Sequence, residues 1–278
     1  MARSGAPAEP SAITAERSLN SAIADYLTQT FAVAAAEVQK LYHDPLELFT
    51  RAVQPVLWLM LFGEVMARVR GVAPGNLPYL DYLAAGILAQ SALFVAIFYG
   101  ISAIWERDLG VLQRYLASPA PRSALILGKA LSAGVRALSQ AIVVYILALL
   151  LGVAIKLNPL DIIGVAATIV LGSALFSTLS LIIACIVKTR ERFMGIGQVL
   201  TMPIFFASNA IYPLSLMPAW LNVVSHVNPL TYEVDALRAL MLAHGISDYG
   251  LGLDFGVMAA ATIALVAIAA RMYGRMGY

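Results

Sequence analysis

The feature that most constrains this chain is a succession of long apolar runs almost free of charge, the most extended covering residues 160–187. A helix of ~20 residues crosses ~30 Å of hydrocarbon, and runs of this length are read as membrane spans. Six are expected, at about 53–67, 79–105, 130–155, 160–187, 193–210 and 251–270; the first is short and the fifth contains Pro203. In lipid each backbone N–H and C=O needs an internal partner, and the two-residue alternation of a membrane barrel is absent, so the runs are expected to be helices. The fold class is therefore all-α integral membrane. Composition agrees, with 60% hydrophobic residues, 12% charged residues and a mean hydropathy of +0.81.

Sidedness follows from where the cations fall. With both termini in the cytosol, Arg107, Arg114, Arg122, Lys129, Lys188, Arg190, Arg192, Arg271 and Arg275 lie inside, and only Arg68, Arg70, Lys156 and Arg238 outside. That asymmetry is what the positive-inside rule requires of an even number of crossings. A net charge of +2, dispersed along the chain, gives no footprint for nucleic acid. The lone Cys185 excludes a disulfide within the chain.

Residues 1–24 hold Pro7, Pro10 and several serines, and are expected to form a mobile cytosolic tail without a cleavable signal. Over 25–45 the apolar positions Leu27, Phe31, Ala34, Val38 and Leu41 recur at helical spacing until Asp44-Pro45 stops them. This amphipathic helix either lies at the membrane surface or packs on a soluble partner. Residues 46–278 make up the transmembrane domain.

After the second run comes Glu106-Arg107-Asp108-Leu109-Gly110, followed by Leu112, Arg114 and Leu116 before Pro119. Leu109, Leu112 and Leu116 share a helical face edged by charge. Such a helix either docks in a partner's groove, apolar anchors giving affinity and charges orientation, or rests at the interface alone. Between the fifth and sixth runs, Pro213, Pro218 and Pro229 interrupt an apolar segment, with Trp220 and Tyr232 suited to the water–lipid boundary. Two short helices dipping into the outer leaflet are expected there, with Glu233, Asp235 and Arg238 pairing at the wet end; an ordinary outer loop is the alternative. Arg136, inside the third span, reaches for headgroups or joins an ion pair. Gly164 and Gly172 permit close helix contact.

The chain resembles the type-2 permeases of ATP-binding cassette (ABC) exporters, in the branch of the daunorubicin-resistance and nodulation-factor exporters. The residues carrying this are Glu106-Arg107-Asp108-Leu109-Gly110 with Ser118-Pro119-Ala120-Pro121-Arg122, Gly128-Lys129-Ala130-Leu131, Pro218-Ala219-Trp220-Leu221, and Asn228-Pro229-Leu230-Thr231-Tyr232 with Arg238. The resemblance implies six spans, an interface helix, a cytosolic coupling helix and an outer re-entrant hairpin containing Pro213, Pro218, Trp220, Asn228, Pro229, Tyr232 and Arg238. It also implies two copies of a cytosolic ABC ATPase and a second permease, identical or not, in a prokaryotic plasma membrane. By analogy Leu109, Leu112 and Leu116 anchor the ATPase contact, Gly110 belongs to the same coupling segment, and Glu106, Arg107, Asp108 and Arg114 orient it. The second and fifth spans line the route, which makes Phe94, Phe98, Phe205, Phe206 and Asn209 its candidate residues.

The phosphate-cradling G-x-x-x-x-G-K-[ST] pattern is missing around Gly128-Lys129, so ATP and Mg²⁺ are expected on the partner, with no cofactor in this chain. His43, His226 and His244 are scattered, and neither a metal site nor an enzyme's catalytic set is expected. An ATP-independent carrier or channel is the alternative, but the central thirds of the spans lack the carboxylates or charged rings that such proteins use.

Overall fold

The computed structural model describes residues 53–68, 77–110, 122–187 and 189–273, together with Thr28 and Gln39. The expected tail, the interface helix apart from Thr28 and Gln39, and Leu112, Arg114 and Leu116 lie outside the described residues.

Eight helices are described. They are Val53–Ala67 (α1), Tyr79–Asp108 (α2), Arg122–Leu150 (α3), Pro159–Ile186 (α4), Arg190–Phe206 (α5), Ala219–Val227 (α6), Pro229–Met241 (α7) and Leu251–Tyr273 (α8). Among the described residues the only pairing of extended backbone is an isolated bridge between Ile155 and Leu242. It ties the α3–α4 connection to the end of α7, reinforced by Lys156 Nζ donating to the Ala239 carbonyl at 2.7 Å.

Four helices, α2, α3, α4 and α8, are long and apolar enough to cross a membrane. The helix α5, at 17 residues, covers about 25 Å at 1.5 Å per residue, and α1 is shorter still. Within α1, Trp58–Gly63 winds as a π-helix, a geometry that re-aims side chains. Trp58 there meets Phe62 and Phe205 edge-on at 5.1 and 5.8 Å.

The interior is built on α2 and α4, which pack on each other and on α3 and α7. Of the four long helices α2 is the most enclosed and α8 the least. On α8, Leu253 and Ile263 stay exposed, as a lipid-facing surface requires. Helix starts follow local chemistry: Asn158, Thr189 and Asn228 each accept a backbone N–H at the first turn of α4, α5 and α7, and Pro159 and Pro229 occupy first helical positions.

The third run ends at Leu150 rather than at 155. Gly152 has φ of +79° and Val153 N donates back to the Ala148 carbonyl at 3.0 Å, which closes a left-handed glycine cap. The same run begins at Arg122, eight residues before the expected 130. Close contact at Gly164 and Gly172 does occur, and the occupants are the side chains of Leu240 and Glu233 from α7.

Candidate functional site

At one end of the bundle, where α2 and α4 finish and α3 and α5 begin, three consecutive residues of α2 reach three different helices. Neighbours on a helix point ~100° apart, so a run of three addresses most of the circumference. Lys129 Nζ of α3 contacts both Glu106 carboxylate oxygens at 2.6 Å, with the lysine side chain only 4% exposed. Arg107 Nη1 donates to the carbonyl of Val187, the C-cap of α4, at 3.4 Å. Asp108 accepts from Arg190 Nη2 of α5 at 2.9 Å, and the same guanidinium lies 3.5 Å above the Trp105 ring.

Burial makes the first of these contacts the strongest constraint. Separating Lys129 from Glu106 would strand a charge in a low-dielectric interior, whereas the half-exposed Asp108–Arg190 pair is screened by water. Beyond Asp108 the chain turns at Gly110, whose φ of +70° suits glycine, and Leu109 is exposed. Of the charges given an ATPase-orienting role by resemblance, Glu106, Arg107 and Asp108 thus have partners on the chain's own helices, and Leu109 alone of the apolar anchors lies among the described residues.

A cavity of about 490 Å³ opens above this junction between α1, α2, α3 and α5. Phe94 and Phe98, one turn apart with rings tilted by 30° and centroids 5.9 Å from each other, form one wall, and Gln54, Gln90, Ser91 and Gln140 bring amides and a hydroxyl. The lining carries no formal charge. Gln90 is buried and its Nε2 meets no acceptor among the described residues, a polar group held ready in an apolar wall. The other candidate route residues lie elsewhere. Phe205 is fully buried against Trp58, Phe206 is exposed, and the backbone carbonyl of Asn209 accepts from Tyr82 and Arg238 at 2.7 and 2.9 Å. Arg136 stands 5.5 Å from the Tyr99 ring.

The opposite end is closed by α6 and α7, the two short helices that the prolines predict. Pro213 precedes the 3₁₀ turn Leu214–Leu216, Pro218 caps α6, and Trp220 is exposed. Asn228 caps α7 and its Nδ2 reaches the Ile204 carbonyl at 2.6 Å, while Tyr232 donates to the His226 carbonyl at 2.7 Å.

The expected grouping of Glu233, Asp235 and Arg238 does not form. Asp235 accepts from Ser247 Oγ, Asp248 N and Tyr249 N, Arg238 lies 3.9 Å over the Tyr82 ring, and Glu233 turns to α4. All three are buried, because α7 packs on α2, α4 and α8 instead of standing in water. Beside them burial, then Tyr232 and Asp235, pushes Tyr249 up to about 12, so its hydroxyl stays protonated.

Sequence reasoning missed Lys129, Arg190 and Trp105 as junction partners, and the glutamines of the cavity. An amide inside an apolar run is a signal in itself, since uncompensated polar groups in hydrocarbon are costly.

Comparison with known proteins places this architecture. The family described as ABC-2 type transporter matches residues 28–242, and the chain belongs to it. It is 28% identical over 225 residues to the ycf38 protein of Cyanophora paradoxa, covering 77% of this chain and 74% of the relative. It is 23% identical over 234 residues to the daunorubicin resistance ABC transporter permease protein DrrB1 of Streptomyces coeruleorubidus, covering 84% and 80%. It is also 25% identical over 203 residues to nodulation protein J of Rhizobium leguminosarum bv. trifolii, covering 72% and 76%. DrrB1 is named as an ABC transporter permease and YadH of Escherichia coli, 25% identical over 225 residues and covering 78% of this chain and 84% of the relative, as an inner membrane transport permease; this chain is a membrane protein of their family.

Proposed function

We propose that this chain is the membrane subunit of an ATP-driven exporter that moves a hydrophobic or amphiphilic molecule, such as a drug, lipid or glycolipid, from the cytosol or inner leaflet outward. In this reading α1 and α5 supply two further crossings, giving six spans with both termini in the cytosol of a prokaryote's plasma membrane. Residues 25–45 lie along the membrane surface, and α6 and α7 form the outer re-entrant hairpin. Two copies of a cytosolic ABC ATPase bind ATP and Mg²⁺, and each docks on the coupling segment of one of two permease subunits.

The observation that carries the reading is the Glu106-Arg107-Asp108 junction in a chain of this family. A push on the segment after Asp108 cannot remain local, because α3, α4 and α5 are each fastened to it. Closure of the ATPase pair is thereby converted into a rearrangement of the helices around the uncharged cavity, which switches access from one side to the other. The cavity's aromatic wall and amide groups suit an amphiphile with a neutral, hydrogen-bonding part.

Leu112→Asp or Leu116→Asp tests the docking step directly. Each variant is expected to insert normally and to lose the ATPase on co-purification by about tenfold or more, the effect of a charge at the centre of an apolar contact. Undiminished co-purification of both variants contradicts the assignment of the coupling segment.

A further inference from the structure

Glu233 is the one carboxylate of α7 without a hydrogen-bond partner among the described residues, at either oxygen. Its side chain is fully buried. The site it occupies is built for it: Gly172 of α4 has no side chain, and a Cβ there would overlap the carboxyl group. Gly172 lies thirteen residues after Pro159 and fourteen before Ile186, about 20 Å along the axis from either end of α4. The hairpin therefore carries an acid to the middle of a spanning helix.

The ionisable groups on the elements around it are engaged elsewhere. On α4, Asp161 lies eleven residues before Gly172, about 16 Å away along the helix. On α2, Asp81 accepts from Ala154 N, and Tyr79 and Tyr82 donate to the Ile211 and Asn209 carbonyls. On α8, Asp254 faces Ser247, and on α6 the His226 ring meets the Asn222 carbonyl. On α7 itself Asp235 takes the 247–249 loop, Arg238 takes Tyr82 and Asn209, and Tyr232 takes His226. Beyond α7, Asp248 is influenced by Asp235 and Arg238, and Tyr249 by Tyr232 and Asp235; His244 acts on Asp81, and Lys156 Nζ is taken by the Ala239 carbonyl, six residues along α7 from Glu233. Glu233 feels burial and no opposing charge.

An ionised carboxylate without a donor or cation in such a place is too costly to persist, whereas a neutral carboxylic acid is tolerated. We propose that Glu233 is a proton-binding site: its carboxyl is protonated while α7 is seated on α4, and it releases the proton to water when the two helices part. On parting, the carboxyl O–H bond breaks and the proton passes to the outer medium; on reseating, a proton from that medium restores the acid. The seated form thus binds one proton more than the parted form. Its stability is complete below the ordinary glutamate value of about 4.3 and declines as pH rises above it, so parting becomes easier by up to about tenfold per pH unit. The outer hairpin is a valve whose opening depends on external pH. This rests on the outward placement of the hairpin, not on ATP as the driving force.

Two measurements on the full chain in lipid nanodiscs decide it. Infrared spectra at pH 8 should show a protonated carboxyl band in the wild type that is lost in Glu233→Gln; identical carboxyl bands overturn the proposal. Ser225→Cys, at the buried α6–α7 corner and with Cys185→Ala, should react with a membrane-impermeant maleimide. Its rate relative to the same double variant carrying Glu233→Gln in addition, or Glu233→Met should the amide fail to fold, is expected to rise several-fold from pH 6 to pH 8. A ratio independent of pH overturns it; because neither measurement involves the ATPase, failure here is distinct from failure of the coupling-segment assignment, which Leu112→Asp and Leu116→Asp test.

Discussion

At the junction end Glu106 meets Lys129 and Asp108 meets Arg190, and each pair joins two helices. At the hairpin end Glu233, Asp235 and Asp254 are fully buried, and the one cation among the α7 side chains, Arg238, is turned to Tyr82 and a backbone carbonyl. Paired charges across helices resist separation, because parting them exposes two ions at once to a medium that solvates them poorly. Acids held by backbone donors, a shared hydroxyl or nothing at all are held more weakly, and water entering the gap stabilises them. The first end is built to move as a unit and the second to come apart.

Of the two ends, the junction is most sensitive at Lys129. Lys129→Met leaves Glu106 unpaired, and a loss of about 3–5 kcal/mol is expected, read as a lower melting temperature of the detergent-solubilised protein. Adding Glu106→Leu should restore most of that loss, and a double variant no better than the single one would show that the pair does not act as a pair. At the other end, Gly172→Ala pushes a methyl group into the Glu233 carboxyl and should destabilise by about 1–3 kcal/mol. Glu233→Ala in the same chain makes room and should relieve it; additive losses would place the two residues apart. Arg190→Lys keeps the charge on Asp108 but loses the planar stack on Trp105. About 0.5–1 kcal/mol is expected from an exposed contact of this kind, and a loss as large as that of Lys129→Met would erase the distinction between buried and exposed ties.

Much of the fold is legible because apolar runs declare themselves: α2, α4 and α8 begin where the sequence places them. The end of α3 is not, since Gly152 looks like any glycine of a spanning helix until its φ of +79° is known. At the junction the charged motif stands out, but its partners are remote in the chain, Lys129 being 23 positions from Glu106 and Arg190 82 from Asp108. In the cavity Phe94 and Phe98 follow from resemblance, while Gln90 and Gln140 escape notice within apolar runs. The charges clustered around Glu233 suggest a place in water. Its position on the face shared by Leu230, Leu237 and Leu240, at helical spacing, points to burial instead.

In the proposed exporter this chain supplies the passage and the lever, while the driving force comes from another subunit. The most direct measurement is efflux of a fluorescent amphiphile from proteoliposomes holding the permease with and without its ATPase. Efflux that needs both subunits and hydrolysable ATP, and that collapses in Lys129→Met, is the predicted result. Equal efflux from the permease alone, without nucleotide, contradicts that division of labour and marks the chain as a carrier or channel.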